Sequence, residues 1–250
     1  MISIGDDAFM NCGSLTNINI PNSVTSIGDR AFWGCNSLNN INIPNSITCI
    51  GDRTFYGCKS LSIINIPNSI TCIGDRVFED CNSLTSITIP SSIVAIIGNP
   101  FYGWHGVLNN ESRAFIYEDH VLFNKDKTIL IEYRAKEKNY IIPNSVTNIK
   151  DKAFWECRFL TSINIPNSVR SIGDRAFWGC VSLTSINIPN SVKNIGSYAF
   201  CCCNSLTCIN IPNSLTSIRD CTFSDCSSLI NINIPDSVTN IGVSAFSGCI

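Results

Sequence analysis

Hydrophobic and polar residues follow one pattern that recurs along most of the 250-residue chain. In the segment 38–60, LNNINIPNSITCIGDRTFYGCKS, isoleucines alternate with asparagines up to Pro44. Such alternation predicts a short β-strand with one buried face, and proline ends the strand because it has no N–H to donate. The pattern therefore predicts a strand before Pro44, a turn at Asn45 and Ser46, and a second extended run through Ile50.

The rest of the segment predicts a third side for the same unit. Gly51 permits a tight bend, and Asp52 is predicted to be the N-cap of one helical turn that places Phe55 inward. Cys58 closes the unit. Because one unit cannot bury its own apolar face, we expect successive units to stack, each side chain against its copy above and below.

The spacing of proline and phenylalanine gives the period of the repeat and locates one interruption. The period is 23 residues. The prolines that keep it are Pro21, Pro44, Pro67 and Pro90, then Pro143, Pro166, Pro189, Pro212 and Pro235. The phenylalanines that keep it are Phe9, Phe32, Phe55, Phe78 and Phe101, then Phe154, Phe177, Phe200, Phe223 and Phe246. Because the step from Pro90 to Pro143 is 53 residues, two periods plus seven, the chain is one repeat array that changes phase once.

The interruption has a composition of its own. Twelve charged side chains lie within residues 111–138, and two apolar runs, 121–123 and 129–131, flank a five-residue polar loop. This arrangement predicts a β-hairpin, which either packs on the array and adjusts its curvature or is a unique recognition element. We predict one continuous solenoid domain in three parts: a first repeat block at 1–106, an irregular hairpin-containing unit at 107–140 and a second repeat block at 141–250.

The recurring sequence LxxIxIPxSVxxIGxxAFxxC resembles the leucine-rich repeat in its 23-residue, BspA-like form, over nearly the whole chain. The resemblance implies a repeat solenoid, mainly β with short helical turns, wound as a right-handed superhelix with a parallel sheet on its concave face. It also implies a protein that is secreted or displayed at a cell surface and contacts extracellular-matrix or host cell-surface proteins. One detail departs from commoner leucine-rich repeats: Ser46, and not Asn45, falls nearer the place of their buried asparagine.

One outward position of the predicted strand is almost always asparagine. The residues at this position are Asn19, Asn42, Asn65, Thr88, Asn164, Asn187, Asn210 and Asn233. We expect them to form a polar stripe on the concave face. The stripe either hydrogen-bonds along itself as an amide ladder or binds a partner through many small contacts.

Composition excludes several classes of function. Charged residues make up 14% of the chain and the net charge is -2, so no basic surface is available for nucleic acid or an anionic membrane. The longest apolar runs are too short to span a bilayer. The first residues lack the basic and apolar regions of a signal peptide, and the compartment stays open.

Nothing in the sequence indicates catalysis or a cofactor. The chain contains no phosphate-binding glycine loop, no H-E-x-x-H and no G-x-S-x-G. Several aspartates recur with the period and are predicted to be turn or N-cap residues: Asp6, Asp29, Asp52, Asp75, Asp174 and Asp220. We therefore expect a protein that is not an enzyme.

The fifteen cysteines fall into two groups. Nine keep the period and are predicted to form a column of reduced, buried thiols: Cys12, Cys35, Cys58, Cys81, Cys157, Cys180, Cys203, Cys226 and Cys249. The others include Cys49 and Cys72, which are expected to be surface neighbours. A local cluster is expected from Cys201, Cys202, Cys203 and Cys208 together with Cys221 and Cys226 of the next units. Zinc is one use for such a cluster, but no C-x-x-C pair or partnering histidine accompanies it, and no metal is expected.

Three functions compete. The first is a protein–protein interaction module, in adhesion or partner recognition at a cell surface. The alternative is a structural or intracellular scaffold that self-associates end to end through open coils. A third is a flat glycan or ice face built from the threonine column Thr25, Thr48 and Thr71, which other residues interrupt.

Overall fold

In a computed structural model, which describes residues 2–249, the chain divides into two compact units, Met1–Tyr117 and Glu118–Ile250. Each unit is a parallel β-solenoid whose coils stack in register, one repeat on the next. The predicted solenoid is therefore confirmed. The three-part division at 106/107 and 140/141 stays a prediction.

The first unit carries short strands on two sides of each coil. They are β1 (Ile2–Ile4), β2 (Val24–Ile27), β3 (Asn40–Asn42), β4 (Cys49–Ile50), β5 (Ile63–Asn65), β6 (Cys72–Ile73), β7 (Ser86–Ile89), β8 (Ala95–Ile96), β9 (Val107–Asn110) and β10 (Phe115–Glu118), whose last residue belongs to the second unit. Parallel pairs form between β1 and β2, β3 and β5, and β7 and β9, and a three-stranded sheet has the order β4-β6-β8.

The second unit begins with the predicted hairpin. Its strands are β11 (Val121–Asn124), β12 (Ile129–Tyr133), β13 (Asn139–Ile141), β14 (Asn148–Ile149), β15 (Ser162–Asn164), β16 (Ser171–Ile172), β17 (Ser185–Asn187), β18 (Asn194–Ile195), β19 (Cys208–Asn210), β20 (Ser217–Ile218), β21 (Asn231–Asn233) and β22 (Asn240–Ile241). β11 and β12 are antiparallel, which confirms the hairpin, and β12 then continues in parallel as β12-β14-β16-β18. A second parallel sheet has the order β13-β15-β17-β19-β21.

The third side of the coil is not helical, and the expectation of short helical turns is wrong for the described residues. Alternate backbone N–H groups point to the next coil: Phe177 donates to the carbonyl of Ala199 at 2.7 Å. The N–H groups between them close tight turns within the coil, as Trp178 does to Arg175 at 3.1 Å. An α-helix needs its N–H groups for bonds along its own axis, and here half of them bind the neighbouring coil.

The aspartates that begin this side lie in turns, which is one of the two predicted roles, and they connect coils; the other predicted role, as helix N-caps, is wrong for the described residues. The Asp174 carboxylate accepts the backbone N–H of Ser197, one coil later, at 2.9 Å. In other coils the same kind of hydrogen bond is accepted by the carboxylates of Asp29, Asp52 and Asp75. Each carboxylate oxygen therefore substitutes for a backbone carbonyl at the corner where the chain leaves its second strand.

The recurring glycine is required for a reason other than the predicted tight bend. A Cβ atom at Gly196 would lie 2.4 Å from both the Oδ1 and the backbone nitrogen of Asp174 in the coil before. The same close approach is found at Gly51 with Asp29. Glycine is needed there because the neighbouring coil occupies the space of any side chain.

Stacked phenylalanine rings fill the centre of each unit, as predicted. In the second unit the ring centroids of Phe154 and Phe177 lie 4.8 Å apart, and those of Phe177 and Phe200 lie 5.2 Å apart. In the first unit the spacing is 5.2–6.3 Å, and the planes are within 15° of parallel. Tyr133 of the hairpin packs against Phe154, with ring centroids 5.0 Å apart and planes tilted by 31°, and so begins the column of the second unit.

The serine after the proline turn bonds to the preceding coil in several repeats. The hydroxyl of Ser46 donates to the carbonyl of Val24, and Ser92 donates to Ile70 at 2.6 Å. Asn45 lies in the same turn and is exposed. The serine at position 46, and not the asparagine before it, therefore makes the partly buried loop contact to the preceding coil.

Replacing Gly196 by alanine is predicted to destabilise the second unit by about 1–3 kcal/mol, because the added methyl group overlaps atoms of Asp174 that cannot withdraw. Gly5→Ala is the control, because nothing lies within 4 Å of a Cβ at that position. Urea unfolding followed by circular dichroism measures both variants. Equal midpoints for the two would contradict the close-approach explanation.

Replacing Phe177 by alanine is predicted to cost about 3–5 kcal/mol, because it opens a cavity in the ring column. Phe159→Ala is the matched control, because that ring is 60% exposed, and its effect is expected to stay within about 0.5 kcal/mol. The same urea titration distinguishes them. A Phe159 variant as unstable as the Phe177 variant would show that the column does not dominate the core.

Candidate interaction face

In the second unit, the outward side of the sheet β13-β15-β17-β19-β21 is here called the strand face. The first unit has a corresponding outward side on β3, β5, β7 and β9. Successive residues of a strand point to opposite sides. Ile163, Ile186 and Ile209 therefore point inward and are buried, while the residues on either side of them are exposed. The fold consequently exposes two columns of side chains on this face.

The eight predicted residues are all exposed, and the structure brings most of them into register. Asn164, Asn187, Asn210 and Asn233 follow one another in a single sheet. In the first unit Asn42 pairs with Asn65, Thr88 lies on a separate two-stranded sheet, and Asn19 is exposed outside any strand.

The structure adds two residues to this column that sequence reasoning missed. Asn109 is exposed and is the register partner of Thr88. Ile141 is the partner of Asn164 and is 73% exposed. Both lie beside the phase change, where counting by the repeat period fails. The motif VLNN at 107–110 was the available signal, because it places an asparagine after an inward leucine.

The outward amides do not hydrogen-bond to one another. Within residues 2–249 no hydrogen bond to protein is found for the side chains of Asn164, Asn187 or Asn210, although their backbones are in register. The predicted ladder that bonds along itself is therefore not formed. Each amide keeps two N–H donors and one carbonyl acceptor for water or a partner.

The hydroxyl groups next to this column are, by contrast, already occupied. Thr184 donates to the carbonyl of Thr161 at 3.3 Å, and Thr207 donates to that of Thr184 at 3.2 Å. The threonine column proposed as a glycan or ice face behaves alike, since Thr71 donates to the carbonyl of Thr48 at 3.2 Å. These hydroxyl donors support the stacking of coils and are less available to a ligand.

An open hollow of about 460 Å³ lies where the strand face meets the proline turn in the second unit. Its lining includes Asn164, Asn187, Pro166, Asn167 and Pro189. The lining is uncharged, and four of its eight residues are asparagines. The hollow therefore offers hydrogen-bonding groups and flat proline rings, without an ionisable group that would catalyse a reaction.

The cysteine column makes a contact that the sequence did not predict. The thiol of Cys180 donates to the carbonyl of Phe154 in the preceding coil at 3.1 Å, and Cys203 does the same to Phe177 at 3.2 Å.

All fifteen cysteines are free. The prediction of burial holds for six of the nine column cysteines, whereas Cys157 and Cys249 are half-buried and Cys12 is exposed, because the coils near the ends of the two units cover their thiols incompletely or not at all. Burial raises the pKa of Cys81 to about 12, so its neutral thiol persists as the donor.

The cysteines outside the column occupy two separate places. Cys49 and Cys72 are register partners on β4 and β6, as predicted. Cys201 and Cys202 lie together with Asp225, whereas Cys208 is exposed on the strand face and is not part of that group. Burial, and then the adjacent Cys202 thiol, raises the pKa of Cys201 to about 12.

This geometry defines a class of protein. Parallel coils of one repeat each, a short strand ending before a proline and a central column of leucine, isoleucine and phenylalanine are the features of a leucine-rich-repeat solenoid. A family model described as the BspA type leucine rich repeat region matches residues 2–110 and 132–250 in six copies. The chain belongs to the BspA-type leucine-rich repeat family.

Solved structures of several bacterial proteins resemble the chain. A leucine rich cell surface protein from Faecalibacterium prausnitzii is 32% identical, with a TM-score of 0.67 over 99% of this chain and 61% of its own. A leucine-rich repeat protein from Eubacterium ventriosum is 24% identical, with a TM-score of 0.67 over 93% and 82% of the two chains. The pneumococcal vaccine antigen PcpA shares the fold at 21% identity, with a TM-score of 0.65 over 96% and 63%.

The chain spans about three fifths of the length of the F. prausnitzii protein. Comparison with curated proteins gives no match. Among the described residues, no helix is long and apolar enough to cross a membrane.

The cysteine column gives a prediction about thiol reactivity. At about pH 8 an alkylating reagent is expected to label the exposed Cys12 and Cys208 quickly. The buried Cys81 and Cys180 should react only after unfolding, because burial raises the pKa of each thiol and keeps it protonated.

Peptide mapping by mass spectrometry, with and without denaturant, gives the labelling rate of each cysteine. In denaturant, Cys81 and Cys180 should be labelled as quickly as Cys208, because unfolding removes the burial that raises the pKa of their thiols. Labelling of Cys180 as fast as that of Cys208 in the folded protein would contradict the buried column.

Proposed function

We propose that this chain is a non-enzymatic protein–protein interaction module that binds a protein partner through the strand face. The observation that supports the proposal best is the row of exposed amides at Asn164, Asn187, Asn210 and Asn233, which lie in register. Their backbone groups complete the sheet, while their side chains find no protein partner within the described residues. They remain available for recognition.

A face of this kind suits a large partner better than a small molecule. Five strands at about 4.8 Å spacing extend over about 20 Å, and stable protein interfaces bury about 800 Å² on each side. No single amide provides much affinity. Binding therefore arises from many equivalent contacts along the stacked coils.

The hollow beside Asn164 and Asn187 supplies one point where contacts concentrate. Prolines and amides line it together, which allows a protruding side chain or loop of the partner to enter while its polar groups are satisfied. Because the lining carries no charge, we expect binding to depend weakly on ionic strength.

The proposed setting is a cell surface, with a role in adhesion or in recognition of host or matrix proteins. The F. prausnitzii relative, at 32% identity, is described as a cell surface protein. This chain covers 61% of that protein, so the shared part is the repeat array. Matrix and cell-surface proteins are accordingly the first partners to test.

Asn187→Arg is predicted to weaken partner binding by at least about tenfold, because an arginine at this central position obstructs the amide row and buries a charge at the interface. The measurement is equilibrium binding of the full chain to a panel of purified extracellular-matrix proteins by surface plasmon resonance. Binding at about 50 and 500 mM salt should differ less than threefold, since the face is uncharged.

Asn194→Arg is the matched control, because Asn194 is an exposed asparagine on β18, in the other sheet of the same unit. It should bind as the wild type does, and both variants should unfold at the wild-type urea midpoint. The proposal fails if the folded wild type binds no protein on the panel, or if Asn194→Arg weakens binding as much as Asn187→Arg.

A further inference from the structure

Three metal-binding side chains converge where two coils of the second unit meet. The thiols of Cys201 and Cys202 lie 3.5 Å apart. One carboxylate oxygen of Asp225 lies near the two sulfur atoms, and the three atoms are all within 4.8 Å of one another. No other described group of histidine, cysteine and acidic residues comes together in this way.

The repeat shows how this group arises. Cys202 and Asp225 occupy the same position of successive coils, where Gly34 and Gly179 stand in others. Both keep the backbone conformation of those glycines, with φ of 61° for Cys202 and 59° for Asp225. Such a φ is unfavourable for residues other than glycine, so the stacking of the coils holds these two side chains in a fixed direction.

The neighbouring residues orient the donors further. The backbone N–H of Cys202 donates to the carbonyl of Ser224 at 2.8 Å, which ties the two coils together at the group. The Ser224 hydroxyl donates to Oδ2 of Asp225 at 3.1 Å. Gly248 lies on the other side of Asp225, where a Cβ atom would come within 2.4 Å of its Oδ1.

The distance between the two sulfur atoms is close to the one that a tetrahedral ion requires. Zn–S bonds of about 2.3 Å at a tetrahedral angle place two sulfur atoms about 3.8 Å apart, close to the observed 3.5 Å. Two thiolates and a carboxylate are ligands that Zn²⁺ accepts. Cys201 is buried, Cys202 is half-buried and Asp225 is exposed, so an ion can reach the site from solvent.

We propose that Cys201, Cys202 and Asp225 form a Zn²⁺ site when the thiols are reduced, with a fourth position open to water or to a further ligand. The site joins two successive coils, and bound Zn²⁺ therefore stabilises their contact. It lies in the turn that follows Phe200, away from the amide row of the strand face, and the proposal is independent of the proposed function.

The test is a titration of the full chain, reduced and free of metal, with Zn²⁺ in competition with a chromophoric chelator. We expect one Zn²⁺ per chain and an increase in the thermal unfolding temperature at saturation. Co²⁺ in place of Zn²⁺ should give the sulfur-to-metal charge-transfer absorption of thiolate ligation, which reports the ligand type directly.

Cys202→Ser should weaken Zn²⁺ binding by at least about 10–100-fold. That is the loss typical of removing a residue that only orients a metal ligand, and Cys202 is itself a proposed ligand. Asp225→Asn should weaken it while keeping the charge-transfer band, because both thiolates remain. Cys208→Ser is the matched control, because it removes an exposed cysteine that lies on the strand face and not at the site. This variant should bind Zn²⁺ with wild-type affinity.

The unfolding midpoint of each metal-free variant separates loss of ligation from loss of fold. A wild-type chain that binds no Zn²⁺ in this titration overturns the proposal. So does a double variant, Cys201→Ser with Cys202→Ser, that still binds one Zn²⁺ with wild-type affinity, because the ion would then lie elsewhere.

Discussion

The structure depends on one constraint: each coil must bind its neighbour in a fixed register of one repeat. On the third side of the coil, alternate N–H groups such as those of Arg175 and Phe177 donate to carbonyls of the next coil. A buried N–H without an acceptor is costly, and the stacked rings of Phe177 and Phe200 allow no sliding. A coil displaced by one residue would lose these bonds and the ring column together, and this is why insertions are confined to one place.

The same constraint couples residues of successive coils. The Asp174 carboxylate lies where the next coil would carry a side chain, so Gly196 follows it there. In the next coil, serine replaces aspartate at position 197. The coil after that carries Arg219 at the glycine position, because no carboxylate precedes it there. Asp220 is again followed by Gly242, with a Cβ-to-Oδ1 distance of 2.4 Å. The glycine is therefore set by the neighbouring carboxylate, and not by the turn of its own coil.

These couplings explain which features the sequence predicted and which it did not. The spacing of hydrophobic residues predicted the repeat period, the inward positions of each coil, the column of phenylalanine rings and the hairpin. Burial alone determines these features. The role of Asp52 was misjudged as a helix N-cap, since local sequence does not show that its carboxylate binds the N–H of Asp75. The thiol contacts of Cys180 were missed for the same reason. At the candidate face, seven asparagines and Thr88 were predicted from the period, whereas Asn109 required the register across the phase change.

The outward amide column is the part of the repeat that this constraint leaves free. Thr88 occupies it and still pairs in register with Asn109, and Ile141 occupies it and pairs with Asn164. The backbone sheet thus forms with a hydroxyl or an alkyl side chain at this position. The buried cysteines of the column differ, because each bonds to the carbonyl of a phenylalanine one coil before and contributes to the stacking. A residue that recurs in coil after coil without such a role is more readily explained by what it meets outside the chain, and this supports the proposal that the strand face binds a partner.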